Sequence, residues 1–200
     1  MKKVLILLCC ALAINTAKGQ DFEKGGNYIT LGYGLDPWGN PYNGTTGFLT
    51  GSTYTKSTIG PIMLTYERGV TDILGIGRIG AGGAIVQTFY NQTQQSGPYK
   101  WTYNRSRIGI IARATYHFEF DIPKMDVYAG VGGGVYINTD KDKVPSTFDP
   151  NNHTVTRSTS TSGGHYIFAG IRYYFTDAFG VYAEAGHGVS ALNGGLTFKF

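Results

Sequence analysis

The stretch Arg107-Ile108-Gly109-Ile110-Ile111-Ala112-Arg113-Ala114-Thr115-Tyr116-His117-Phe118-Glu119-Phe120 decides the fold. Its odd positions carry Arg107, Arg113, His117 and Glu119 together with Gly109, Ile111 and Thr115. Its even positions are Ile108, Ile110, Ala112, Ala114, Tyr116, Phe118 and Phe120, with no charge among them. A β-strand sends alternate side chains to opposite faces, because its side-chain period is two. A helix would mix the two sets within each turn. The stretch therefore reads as a strand with one polar and one apolar face.

The same split recurs along the chain. Ile167, Ala169, Ile171, Tyr173 and Phe175 oppose Gly170, Arg172 and Tyr174. Val127, Ala129, Val131 and Val135 oppose Tyr128, Gly130, Gly132, Gly134 and Tyr136. Alternation bounded by turn residues predicts eight strands: Asn27 to Leu35, Gly60 to Val70, Leu74 to Tyr90, Trp101 to Phe120, Asp126 to Asn138, His165 to Phe175, Gly180 to Gly188 and Gly194 to Phe200. Connections at 71–73, 121–125 and 176–179 are short; those at 36–59, 91–100 and 139–164 are long and polar. Short turns at one end and long loops at the other match a barrel with periplasmic turns and extracellular loops.

The polar face distinguishes a membrane barrel from a soluble one. A soluble barrel that encloses a ligand carries its charges outside. Here the polar face is mostly glycine with isolated charges, which suits the narrow interior of an eight-stranded barrel. The apolar face turns aromatic near one end, at Tyr66, Tyr116, Phe118, Tyr173, Phe175, Phe198 and Phe200, as an interfacial girdle requires. The expected fold is all-β, a closed eight-stranded antiparallel transmembrane β-barrel over 27–200, preceded by a short N-terminal segment over 20–26.

Residues 1–19 read as a signal peptide. Lys2 and Lys3 precede the apolar run Val4 to Ile14, and Ala17-Lys18-Gly19 supplies small residues at the cleavage positions. The full chain has 17 Lys+Arg against 13 Asp+Glu. Removing Lys2, Lys3 and Lys18 leaves 14 against 13, so the basic balance belongs mostly to the export signal and a nucleic-acid partner loses its support. Cys9 and Cys10 leave with the same segment, which ends disulfide and thiol chemistry. Neither has the small preceding residue that lipid attachment would need.

The final strand, Gly194-Gly195-Leu196-Thr197-Phe198-Lys199-Phe200, alternates apolar residues up to a phenylalanine. With Leu196, Phe198 and Phe200 it resembles the signal by which outer-membrane proteins engage the barrel-assembly machinery. Taken with the signal peptide, the chain resembles the small bacterial outer-membrane β-barrel domain family, similar in plan to outer-membrane proteins A and X. The resemblance implies the bacterial outer membrane as location, both termini periplasmic, and outer-membrane lipid and the assembly machinery as partners. It implies no cofactor.

Charges on the polar face, Glu67, Arg78, Arg113, His117, Glu119, Arg172 and Glu184, predict a structural network filling the lumen. A buried charge needs an opposite charge and hydrogen bonds to recover its desolvation cost. Counting outward from the turns pairs Glu67 with Arg78 and Arg172 with Glu184. The same residues would serve a narrow pore, but an eight-stranded interior is about filled by side chains.

A lipid A deacylase reading rests on His187-Gly188-Val189-Ser190. The spacing departs from that family's His-x-Ser, and the following strand carries Lys199 and no Glu, so no carboxylate orients the histidine. His117, His153 and His165 lack metal-ligand spacing. No catalytic, cofactor or metal residue is therefore assigned. The expected role is structural or surface-interacting, through loops 36–59 and 139–164.

Overall fold

The computed structural model describes residues 22–35, 52–120, 122–146 and 149–200. The signal segment and most of the first long loop, including Trp38, Tyr42 and Phe48, lie outside the described residues. The described chain is all-β, and no helix in it is long and apolar enough to cross a membrane. Its strands are β1 (Asn27–Leu35), β2 (Ser52–Gly69), β3 (Gly77–Ser96), β4 (Tyr99–Phe118), β5 (Met125–Pro145), β6 (His153–Tyr174), β7 (Phe179–His187) and β8 (Leu192–Lys199).

Each strand pairs antiparallel with the next, and β1 pairs with both β2 and β8, so the sheet returns on itself as a ring. The seam is held beyond the strands as well: Asn27 and Phe200 exchange two backbone hydrogen bonds of 3.0 and 3.1 Å. Among the described residues the one register shift falls in β2, between Ile59 and Ile62. Gly60 adopts φ +96° there, in the left-handed region that only glycine enters without strain.

The alternation of 107–120 is realised as read. Ile110 is 55% exposed on the outer face, while Thr115 is 4% exposed and points inward. Leu31, Leu64, Ile85, Val131, Ile167, Ile171 and Leu196 join Ile110 outside, whereas Glu67, Arg113, His117, Arg172 and Glu184 are buried within the ring. The distribution is inverted relative to a water-soluble domain. The aromatic band also forms at the end carrying the short turns: Tyr116 meets Phe118 edge-on at 5.2 Å, Tyr173 meets Phe175 at 5.6 Å, and Phe179 packs with Phe198 at 5.2 Å.

Two of the expected long loops are mostly strand. Residues 91–96 and 99–100 continue β3 and β4 around a Gly97-Pro98 turn, and 139–145 and 153–164 continue β5 and β6. Residues 52–59 likewise belong to β2. These extensions carry Thr, Ser, Gln, Asn and Tyr on both faces, so no apolar period marks them, although Thr and Tyr favour strands.

Among the described residues β1, β7 and β8 are the short strands, and β2 to β6 rise beyond the ring as a wall. At about 3.3 Å per residue the wall extends roughly 30 Å along its strands. Among the described residues, Ser52–Ile59 on one side of the wall pairs only with β3, and His153–Tyr166 on the other only with β5.

Candidate functional site

Strand alternation sends Glu67 from β2, Arg113 and His117 from β4, Asp126 and Tyr128 from β5, Arg172 from β6 and Glu184 from β7 to one point inside the ring. There they form two connected groups. In the first, Arg113 Nη2 lies 2.5 Å from Glu184 Oε1. The same carboxylate accepts the Tyr128 hydroxyl at 2.9 Å and the Tyr166 hydroxyl at 3.1 Å. The Arg113 guanidinium sits over the Phe168 ring at 4.0 Å.

In the second group Arg172 bridges two carboxylates. One nitrogen contacts Glu67 Oε2 and the other lies 3.3 Å from Asp126 Oδ2. His117 joins the same two residues, with Nδ1 2.8 Å from Asp126 and Nε2 3.0 Å from Glu67. Both imidazole nitrogens thus face carboxylate oxygens, an arrangement fully satisfied when both donate. The Thr115 hydroxyl donates to Glu67, and Arg172 lies 4.6 Å over the Tyr128 ring. Every charge here has an opposite charge and a polar or aromatic neighbour, as burial of ions demands.

The lower mouth is closed by the segment before β1. Phe22 is 0% exposed and lies flat on His117, and its carbonyl accepts from Arg78 Nη1 at 2.9 Å. Glu23 N donates to the Tyr28 hydroxyl at 2.9 Å. Lys24 donates to Asp72 at 2.6 Å, and that hydrogen bond holds the Asp72 carboxyl below its ordinary value.

The two pairings expected from the turns are not those formed. The β6–β7 turn is centred on Asp177, which places Tyr182 across from Arg172 and Gly170 across from Glu184. The connection between β2 and β3 is longer than a tight turn, so Glu67 faces Gly82. Arg78 instead stands across from His117 and pairs with Glu119, Nε to Oε1 2.7 Å. Asp126 was missed as an interior charge. Its even-numbered parity with Tyr128 and Gly130 was the signal that would have found it.

His187 and Ser190 are not assembled for nucleophilic chemistry. His187 is exposed on the outer face, with Nδ1 3.3 Å from His165 Nε2. Ser190 is buried, and its hydroxyl is directed at the carbonyls of Leu35, 2.9 Å away, and Leu192, 2.7 Å away. Among the described residues no group of three His, Cys, Asp or Glu side chains is placed to hold a metal ion.

Compared with protein-family models and with curated proteins, the sequence finds no match.

Proposed function

We propose that this chain is a closed transmembrane β-barrel of the bacterial outer membrane, exported by residues 1–19, plugged by its own interior, and presenting the β2–β6 wall for surface contacts. The observation that carries this reading is the inversion of the ring: aliphatic side chains exposed outside, and Glu67, Arg113, His117, Asp126, Arg172 and Glu184 buried inside. An apolar solvent favours that arrangement, since in water each exposed aliphatic side chain forfeits about 1.5–3 kcal/mol of burial. The aromatic band at the short-turn end supports an interface at that level.

In this reading Leu196, Phe198 and Phe200 present the assembly signal, and outer-membrane lipid is the lasting partner. Both termini lie on the periplasmic side. A structural or surface-interaction role is favoured over transport by the ionic groups of Arg113 and Arg172 and by Phe22, which together occupy the axis of the ring. It is favoured over lipid modification by the engagement of Ser190 with backbone carbonyls. The 139–164 region contributes through extended strands rather than a loop.

The test is expression in a Gram-negative host followed by separation of inner and outer membranes. The expected result is outer-membrane protein that shifts on gels when heated and gives no stepwise conductance in planar bilayers. Recovery as soluble periplasmic protein would overturn the membrane assignment; steady single-channel steps would overturn the plug.

A further inference from the structure

Charge is unevenly placed along the chain. Residues 36–59, 91–107 and 139–164, at the end away from the short turns, hold seven Lys and Arg against four Asp; the other residues of 20–200 hold seven against nine Asp and Glu. Strand parity sorts the upper charges by face. Lys56, Arg105 and Arg107 turn to the inner side of the wall with Asp140 and Asp142. Lys100, Lys141, Lys143 and Arg157 turn outward, on the parity of Ile108, Ile137 and Ile167, and all four are exposed. We infer that this outer face binds a glycolipid of the surrounding leaflet through the phosphates of its sugar headgroup.

Lys141 and Arg157 stand directly opposite each other across β5 and β6. Like charges facing each other across a strand pair destabilise it, and an anion held between them removes the penalty. Among the described residues none of the four cations is in an ion pair. Asp140 is held by Arg105 on the inner side, and Asp149, in the β5–β6 turn, accepts from Asn151 N at 2.9 Å. No Asp or Glu of β4, β5 or β6 shares the outer face above Ile108, Ile137 and Ile167, and the histidines there, His153 and His165, add no negative charge.

Position selects the source of the phosphate. The exposed aliphatic belt of the ring ends on β5 at Ile137. Lys141 follows four residues later, about 13 Å along the strand and about 10 Å along the axis of a barrel whose strands tilt by roughly 40°. A bilayer's headgroup layer is about 5–8 Å deep on each side, and a lysine reaches down to it by laying its stem on apolar surface. Lys143 and then Lys100 continue outward, Lys100 lying two residues before Thr102, which pairs with Lys143. The cations therefore span about 13 Å along the strands, more than a single layer of glycerophospholipid phosphates. A headgroup of several phosphorylated sugars matches that height. Thr139 and Thr159, paired in register just below Lys141 and Arg157, offer exposed hydroxyls to such sugars.

The site deepens the surface-contact role proposed above and rests on that reading for its lipid neighbour, but its binding is measurable in micelles. The full chain, folded in uncharged detergent, is titrated with fluorescent short-core lipopolysaccharide, and anisotropy reports the complex. The probe should bind, and its chemically dephosphorylated form should bind at least tenfold more weakly. Lys141→Gln combined with Arg157→Gln should weaken binding about tenfold or more, the loss of two cations at an anionic surface. Lys24→Gln combined with Lys124→Gln removes the same charge at the other end and should match the parent chain. Circular dichroism and the heat-dependent gel shift check that each variant is folded. Equal binding by the folded Lys141→Gln, Arg157→Gln chain, or of the dephosphorylated probe, would overturn the proposal. So would displacement of the probe by phosphatidylglycerol, inorganic phosphate or alginate at equal concentration. A chain that passes these tests yet fractionates away from the outer membrane would sink the membrane reading alone; one that reaches the outer membrane and fails them would sink this inference alone.

Discussion

Phe22 lies parallel to His117, with ring centroids 3.4 Å apart and planes 3° from parallel. The contact joins the segment before the first strand to the deepest ionic group of the ring. His117 is 0% exposed because Phe22 covers the face that would otherwise meet water from the lower mouth. Phe22→Ala should therefore destabilise the fold by about 3–5 kcal/mol, the usual cost of deleting a buried phenylalanine. Urea unfolding in detergent measures this. Modification of His117 by diethylpyrocarbonate, read by peptide mass spectrometry, should accelerate in the same variant. An unchanged rate would show that Phe22 does not seal the mouth.

The Arg113–Glu184 pair should behave as a unit. Arg113→Ala leaves the Glu184 carboxylate buried with only two tyrosine hydroxyls, which should cost about 3–5 kcal/mol. Arg113→Met combined with Glu184→Gln removes both charges while keeping volume, and should be much milder. A double-mutant cycle in detergent gives the coupling. Strict additivity would mean the two side chains do not sense each other.

These pairings show how far the sequence could be read. The faces were legible, because strand parity is local: Glu67, Arg78, Arg113, His117, Glu119, Arg172 and Glu184 all turn inward or to the lower rim. Partners were not, because they depend on the length of each connection and on reach across the ring. Moving the β6–β7 turn by one residue displaces Arg172 from Glu184 by two positions and leaves both on the same face. Arg172 then finds Glu67, 105 residues away on a strand that is not its neighbour. The wall was illegible for a different reason. Once both faces of a strand are polar, as at Ser158-Thr159-Ser160-Thr161-Ser162, the hydrophobic period that announces a strand is gone.

Ile110 and Thr156 should respond oppositely to arginine. Ile110 is 55% exposed on the outer face of the ring. If that face meets acyl chains, Ile110→Arg should cost about 2–4 kcal/mol in phospholipid vesicles. Thr156 is exposed on the wall, and Thr156→Arg should stay within about 0.5 kcal/mol. Reversible unfolding in vesicles compares them. Quenching by brominated lipid of a fluorophore at each position supplies an independent readout. Equal tolerance at both would argue that residue 110 faces water.

Gly163 and Gly164 are adjacent in β6 and make opposite demands. The Tyr136 ring on β5 lies in a slot between two glycines: a Cβ at Gly164 would stand 2.1 Å from Tyr136 Cε2, and one at Gly109 on β4 2.6 Å from Tyr136 Cε1. Both approaches are shorter than real carbon contacts, so the ring fits only because neither neighbour has a side chain. Across the backbone, a Cβ at Gly163 would meet nothing within 4 Å. Gly164→Val should therefore push Tyr136 off its rotamer and destabilise by about 1–3 kcal/mol, the ordinary cost of overpacking. Gly163→Val should be neutral or slightly stabilising, since a β-branched residue suits an exposed strand position better than glycine does. Tyr136 is 7% exposed and borders the Arg107 guanidinium at 5.3 Å, so its displacement should also loosen the floor between the plug and the wall. Paired unfolding curves for the two variants decide the matter. Equal effects, or a more harmful Gly163→Val, would mean that the inward and outward faces of β6 have been exchanged at this level.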